Sequence, residues 1–239
     1  MKWNLSTVRN ARNIEAVTER GTVLDGVLFA YNSVIEPVEM TADGGHGGWR
    51  SAASHDRLNH RTDNRADTVV IAITGIHRNF YSNPFYFNFG DTLNSGGIDF
   101  MYAQVCDAFG EINTRNIHTG KEEIIGSWNE RFSYAVEDIR AYIDWAEDAG
   151  YARIILAGHS LGANKVIRYL SATNDSRVEK FILLSPANLD HMTGGVSADE
   201  KTEIQAQIER GDGEKCFPFR SWAGSSAQPS PPQTGFPPR

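Results

Sequence analysis

The chain has 239 residues, 40% of them apolar and 22% charged, with a formal net charge of −7. That length can bury one sizeable core, so a single domain is the expected count. The acidic balance without a basic stripe argues against a nucleic acid partner, and no apolar run approaches a membrane span.

The first ten residues lack the apolar core of a secretory signal, and the only cysteines are Cys106 and Cys216. A cytoplasmic protein without a disulfide framework is therefore expected. Cys106 lies among apolar residues and reads as a buried thiol.

Residues 13–31 alternate apolar and polar side chains around Gly21 and Gly26, the pattern of an opening β-hairpin. Residues 36–67 form a polar, loop-like insertion carrying His46, His55 and His60. Their spacing fits no tight ligand cluster, so a solvated loop is expected there and no metal site. Asp67 to Thr74 is a nearly continuous apolar, β-branched run, the signature of a strand buried on both faces of a parallel sheet. Ile98 to Val105 reads as the next strand.

Ser127 and Glu130 have the spacing of a capping box, and Phe132, Val136, Ile139, Ile143 and Ala146 share one helical face before Gly150. Trp128 and Trp145 are expected in the core. Arg153 to Ala157 is another strand, and Leu161, Val166, Ile167 and Leu170 have helical spacing. Arg177 to Leu184 reads as a buried strand, and Ser197 with Glu200 as a second capping box. The alternation of strands and helices requires crossovers, hence an α/β fold with a mostly parallel sheet and helices on both faces.

Between the last strand–helix pair stands Gly158-His159-Ser160-Leu161-Gly162. A G-x-S-x-G match in a strand–turn–helix context is the nucleophile elbow, in which a strained turn lifts the serine hydroxyl clear of the sheet. Ser160 is the candidate nucleophile. Side chains at either glycine would collide with neighbouring elements.

From this motif onward the chain resembles the α/β-hydrolase family, serine esterase- or lipase-like, over roughly residues 12 to 210. The resemblance implies ester-type substrates, an acyl-enzyme and no cofactor. It implies oxyanion donors at the Leu161 N–H and in the loop Thr74 to Phe80, where the Ile76 N–H is favoured with His77 next. It also implies an acid and then a histidine after the nucleophile. Only His191 follows Ser160, directly after Asp190, so these two enter as base and acid. Adjacency in sequence makes their mutual orientation awkward, and an exposed loop histidine is the competing reading.

The segment from Arg78 to Phe89 holds six aromatics in twelve residues. His77, Phe80 and Tyr81 are candidate substrate contacts, with packing on the core as the alternative. His159 is expected to pack away from the site.

Five of the nine prolines fall after residue 228. The expected organisation is therefore a hydrolase domain over 1–213 and an irregular tail over 214–239, the domain being truncated at its C-terminal edge. The leading expectation is a carboxylesterase acting on a small-molecule ester or acyl substrate, without nucleic acid or membrane partners. A truncated, catalytically impaired homologue that binds a partner, or a thioesterase or acyltransferase, are the alternatives. A shortened sheet would leave an edge open to self-association.

Overall fold

The computed structural model describes residues 11–31, 66–189 and 196–212, and the chain divides into two compact units, Met1–Ala187 and Asn188–Arg239. The insertion before Ala66, the tail and the three loop histidines lie outside the described residues.

The first unit is built on β1 (Ala11–Val17), β2 (Val23–Phe29), β3 (Thr68–Ile73), β4 (Asp99–Ala103), β7 (Arg153–His159) and β8 (Val178–Leu184). They form one six-stranded sheet in the order β1-β2-β4-β3-β7-β8. The expected hairpin is present, with β1 and β2 antiparallel, and β2 continues antiparallel onto β4. The pairs β3–β4, β3–β7 and β7–β8 are parallel. Their carboxyl ends therefore share one edge, where sites of such sheets form.

Strand β3 explains why the sheet is covered twice. All six of its residues are buried. Val69, Ile71 and Ile73 face one core, with Ile139, Tyr142, Ile143 and Ala146 of α2 (Ala135–Asp148) and Val166 and Tyr169 of α3 (Leu161–Thr173). Val70 and Ala72 face the other core, with Phe29, Phe80, Phe100 and Tyr86 of α1 (Phe85–Ser95). Alternation on a pleated strand divides the apolar run between the two helix layers.

The structure adds two elements the sequence left unread and corrects two expectations. The aromatic segment is largely helical, because Pro84 opens α1 and Tyr86, Gly90 and Asn94 turn one buried face inward. A hairpin of β5 (Ile112–Asn116) and β6 (Lys121–Ile125) precedes α2. The helix after it begins at Ala135 rather than after Ser127, since Ser127 and Glu130 are engaged elsewhere. Trp128 is 77% exposed and belongs to no core.

Strand β8 is present but not buried. It is the last strand in the sheet order, and among the described residues it pairs with β7 alone. Phe181, Ile182 and Leu184 are 58%, 44% and 37% exposed. A β-branched and aromatic run signals a strand equally well at an edge and at a centre, so burial did not follow from it.

In the second unit, α4 (Ala198–Glu209) carries the expected capping box. The Glu200 N–H donates to Ser197 Oγ and the Ser197 N–H to Glu200 Oε2.

Candidate active site

Strand β7 ends at His159 and helix α3 starts at Leu161, leaving Ser160 alone to make the turn. Its backbone sits at φ 55° and ψ −125°, a region that non-glycine residues avoid. The surroundings enforce it. The Ser160 N–H donates to the Leu184 carbonyl at 3.0 Å, tying the turn to β8, and the Ala163 N–H donates to the Ser160 carbonyl at 3.0 Å.

Both flanking glycines are required by contact rather than by φ. A methyl carbon at Gly158 would lie 2.6 Å from Ala163 Cα. One at Gly162 would lie 2.3 Å from the Ile73 carbonyl oxygen and 2.5 Å from that of Thr74. Helix α3 thus crosses directly over the end of β3, and the turn is locked between the two strands. Among the described residues the Ser160 side chain caps nothing, and the Leu161 N–H donates to no backbone carbonyl. The positive end of the α3 dipole and a free N–H therefore lie beside the hydroxyl.

The loop after β3 closes onto the same serine. A methyl carbon at Gly75 would stand 3.0 Å from Ser160 Cβ and 3.4 Å from Oγ. Hydrogen bonds tie this loop to itself and to the segment after β4. Thr74 Oγ1 donates to the Arg78 carbonyl at 3.0 Å, and the Arg78 N–H to the Gly75 carbonyl at 3.1 Å. The His77 N–H donates to the Asp107 carbonyl at 3.1 Å, with His77 at φ 58°. Among the described residues the Ile76 N–H donates to no backbone carbonyl. The backbone thus separates the two oxyanion candidates by occupying one of them.

His77 is exposed, and its Nδ1 meets Ser127 Oγ while its ring lies 5.8 Å from that of Trp128. Phe80 corrects the sequence reading: it is 5% exposed and packs its ring against Phe29, Phe87 and Tyr102. Its N–H donates to Gln104 Oε1 at 2.8 Å. A ring enclosed in this way fills core and has no face left for a ligand. The side chain of Tyr81, and Asp190 and His191 entirely, lie outside the described residues. His159, next to the serine, has its ring 6.1 Å from that of Phe85 in an edge-on contact.

Beneath this edge, sequence reasoning missed a buried charge cluster. Lys165, on α3, is 2% exposed. Its Nζ lies 2.8 Å from Asp107 Oδ2 and 2.5 Å from Glu130 Oε1. Burial alone would lower the Lys165 pKa, but the charges of Asp107 and Glu130 outweigh it and hold the ammonium above its usual range. Burial pushes the Glu130 carboxyl up, with Lys165 pulling it partly back. The available signal was a lysine at a position of helical apolar spacing, between Ala163 and Val166.

The segment before Asp107 is pinned too. Tyr142 Oη donates to the Gln104 carbonyl at 2.7 Å, and the Cys106 N–H donates to Asp138 Oδ2 at 3.0 Å. Arg20 then joins Asp138 and Glu137 at 2.7 Å and 3.0 Å. Burial drives the Cys106 thiol well above its usual range, with Asp138 adding to the effect. As expected from sequence, it is a buried thiol, 6% exposed. Among the described residues no cluster of three His, Cys, Asp or Glu side chains is set to hold a metal ion, and no helix is long and apolar enough to cross a membrane.

The family described as serine aminopeptidase, S33 matches residues 70–204, which span β3, the Gly75 loop, the Ser160 turn and most of α4. The chain belongs to this α/β-hydrolase family. Among solved structures it is similar to the esterase Pf2001 of Pyrococcus furiosus in two crystal forms, at TM-scores of 0.52 and 0.50 and identities of 16% and 17%. Those likenesses cover 90% of this chain and 66% and 68% of the esterase chains. It is also similar to the hypothetical protein PA2218 from Pseudomonas aeruginosa, with a TM-score of 0.52, 14% identity, and coverage of 87% of this chain and 54% of that one. No curated protein matches the sequence. At these identities the likeness is one of fold. This α/β-hydrolase spans between about half and two thirds of the length of the solved chains.

Proposed function

We propose that the protein is a serine hydrolase acting on carboxylic esters of small molecules, with Ser160 as nucleophile. The observation that carries this reading is the strained Ser160 turn between β7 and α3, with Gly75 packed against its side chain. A hydroxyl held at that position is open to a substrate carbonyl from the sheet edge, and among the described residues the N–H groups of Ile76, next to Gly75, and Leu161, next to Ser160, donate to no backbone carbonyl.

In the proposed reaction the Ser160 Oγ attacks the ester carbonyl carbon while its proton passes to an imidazole, for which His191 is the candidate and Asp190 its orienting acid. The oxyanion draws hydrogen bonds from Ile76 and Leu161. Collapse breaks the bond to the alcohol oxygen, which takes the proton from the imidazole and leaves an acyl-serine. Water repeats the sequence, and the acid departs as Ser160 recovers its proton. His77 and Tyr81 stand as substrate contacts in this reading, and Phe80 does not.

Hydrolysis of p-nitrophenyl butyrate by the wild-type protein and by Ser160→Ala tests the proposal. Turnover that falls by about 10³-fold or more in the variant is expected, the size of effect known for removal of a catalytic serine. Equal rates in the two proteins would refute the role of Ser160.

A further inference from the structure

Lys165 is the one lysine among the residues of α3, five positions beyond Ser160, and it is almost wholly enclosed. A buried ion pair is a weak source of stability, because desolvation offsets the attraction. Its geometry here suggests another use. The two carboxylates come from opposite ends of the segment that carries the β5–β6 hairpin, Asp107 before it and Glu130 after it.

Asp107 acts at two points. Its carboxylate meets Lys165 Nζ at 2.8 Å, and its carbonyl accepts the His77 N–H at 3.1 Å. Ser127, three residues before Glu130, touches the ring of the same His77 and donates through both its N–H and Oγ to the Phe109 carbonyl, at 2.8 Å and 2.9 Å. His77 is thereby held from its backbone and its ring at a left-handed φ of 58°. With the His77 N–H engaged, the neighbouring Ile76 N–H is the donor left to the site.

We propose that Lys165 is a positioning residue: by clamping Asp107 and Glu130 to the nucleophile's own helix, it sets the Gly75–His77 turn at a fixed distance from Ser160. Helix α3 carries the nucleophile, the Asp107 carbonyl carries the oxyanion loop, and the ion pair is the link between them. A loop freed from this link shifts relative to Ser160, and misplacement by about 1 Å costs roughly 10²-fold in rate. The catalytic consequence rests on the hydrolase reading above, while the clamp itself does not.

The experiment compares wild-type protein, the charge-free triple variant Lys165→Met/Asp107→Asn/Glu130→Gln, and Asp107→Asn, in which Lys165 keeps Glu130 as partner. Each is reacted with a fluorophosphonate to separate the maximal inactivation rate from the half-saturating concentration, and amide hydrogen exchange is followed over residues 75–80. The expected result for the folded triple variant is an inactivation rate about 10- to 100-fold lower at unchanged half-saturation, with faster exchange in 75–80. Asp107→Asn is expected to shift both readouts in the same direction by a few-fold, and it decides the case should the triple variant not fold. Wild-type rate and exchange in a folded variant overturn the proposal. Silence of the wild type towards the probe would refute the hydrolase reading instead. The clamp would then stand or fall on the exchange of 75–80 alone, with unchanged exchange overturning it.

Discussion

Gly75 and Ser160 are packed so closely that a single methyl group on Gly75 would touch both the Cβ and the Oγ of the serine, at 3.0 Å and 3.4 Å. The loop after β3 and the turn after β7 are therefore one structural unit, although 84 residues of sequence lie between the two positions. Ile76 follows Gly75 directly, so its amide is carried on the segment that makes that contact.

Gly75→Ala tests this unit. The glycine needs no positive φ, so alanine fits its backbone and the crowding falls on the serine side chain. The expected outcome is a stability change below about 1.5 kcal/mol with a fall of about 10- to 100-fold in inactivation by a fluorophosphonate. A wild-type rate would show that the loop yields without consequence for the site.

Gly162→Ala should behave in the opposite way. Its methyl group would press into the backbone of Ile73 and Thr74, which no side-chain rotation relieves. A loss of about 3 kcal/mol or more is expected, read as a lower urea midpoint, with Gly158→Ala only slightly milder. A midpoint within experimental error of wild type would contradict the crossing of α3 over β3.

The turn after α3 predicts a pH dependence. Asp175 accepts from Arg177 at its N–H, Nε and Nη2, and from Tyr169 Oη. The Arg177 hydrogen bonds hold its carboxyl well below the usual value of 3.8, against the opposing effect of burial. A depressed carboxyl contributes stability that is complete above the unfolded-state pKa and is lost as pH falls through the folded value. Asp175→Asn should cost about 1–2 kcal/mol at pH 7, and the difference should shrink steadily below about pH 4. Urea midpoints at pH 7, 5 and 3 check this. A difference that does not change with pH would contradict the assignment.

Cys106 should be inert. Its thiol is buried beside Asp138 and held above its usual pKa, whereas thiolate is the reactive form. Iodoacetamide at pH 8 should leave the Cys106 peptide unmodified in native protein and alkylate it fully in urea. Rapid native alkylation would show that the segment before Asp107 opens freely.

Much of this was legible in the sequence. Continuous β-branched runs located β3 and β7, and the glycines around Ser160 declared the turn, because a sharp strand–helix junction admits few other residue types. Phe80 and Trp128 were misplaced for a common reason: aromatic content marks a surface to be buried without saying by what. One ring went into the core and the other to the surface. Ser127 and Glu130 have capping-box spacing, yet both are taken by partners distant in sequence, His77 and Lys165. Local pattern cannot register such partners. The hairpin β5–β6 had a signal in the alternation of Ile112 to Asn116 and the turn at Thr119-Gly120, but it is short and weakly apolar.

The site of covalent modification by a fluorophosphonate, mapped by mass spectrometry on folded wild-type protein and on Ser160→Ala, tests the central claim most directly. One adduct per chain, on Ser160, and none on the variant, is the expected result. An unlabelled wild type that is demonstrably folded, or a variant labelled as readily as the wild type, would contradict it.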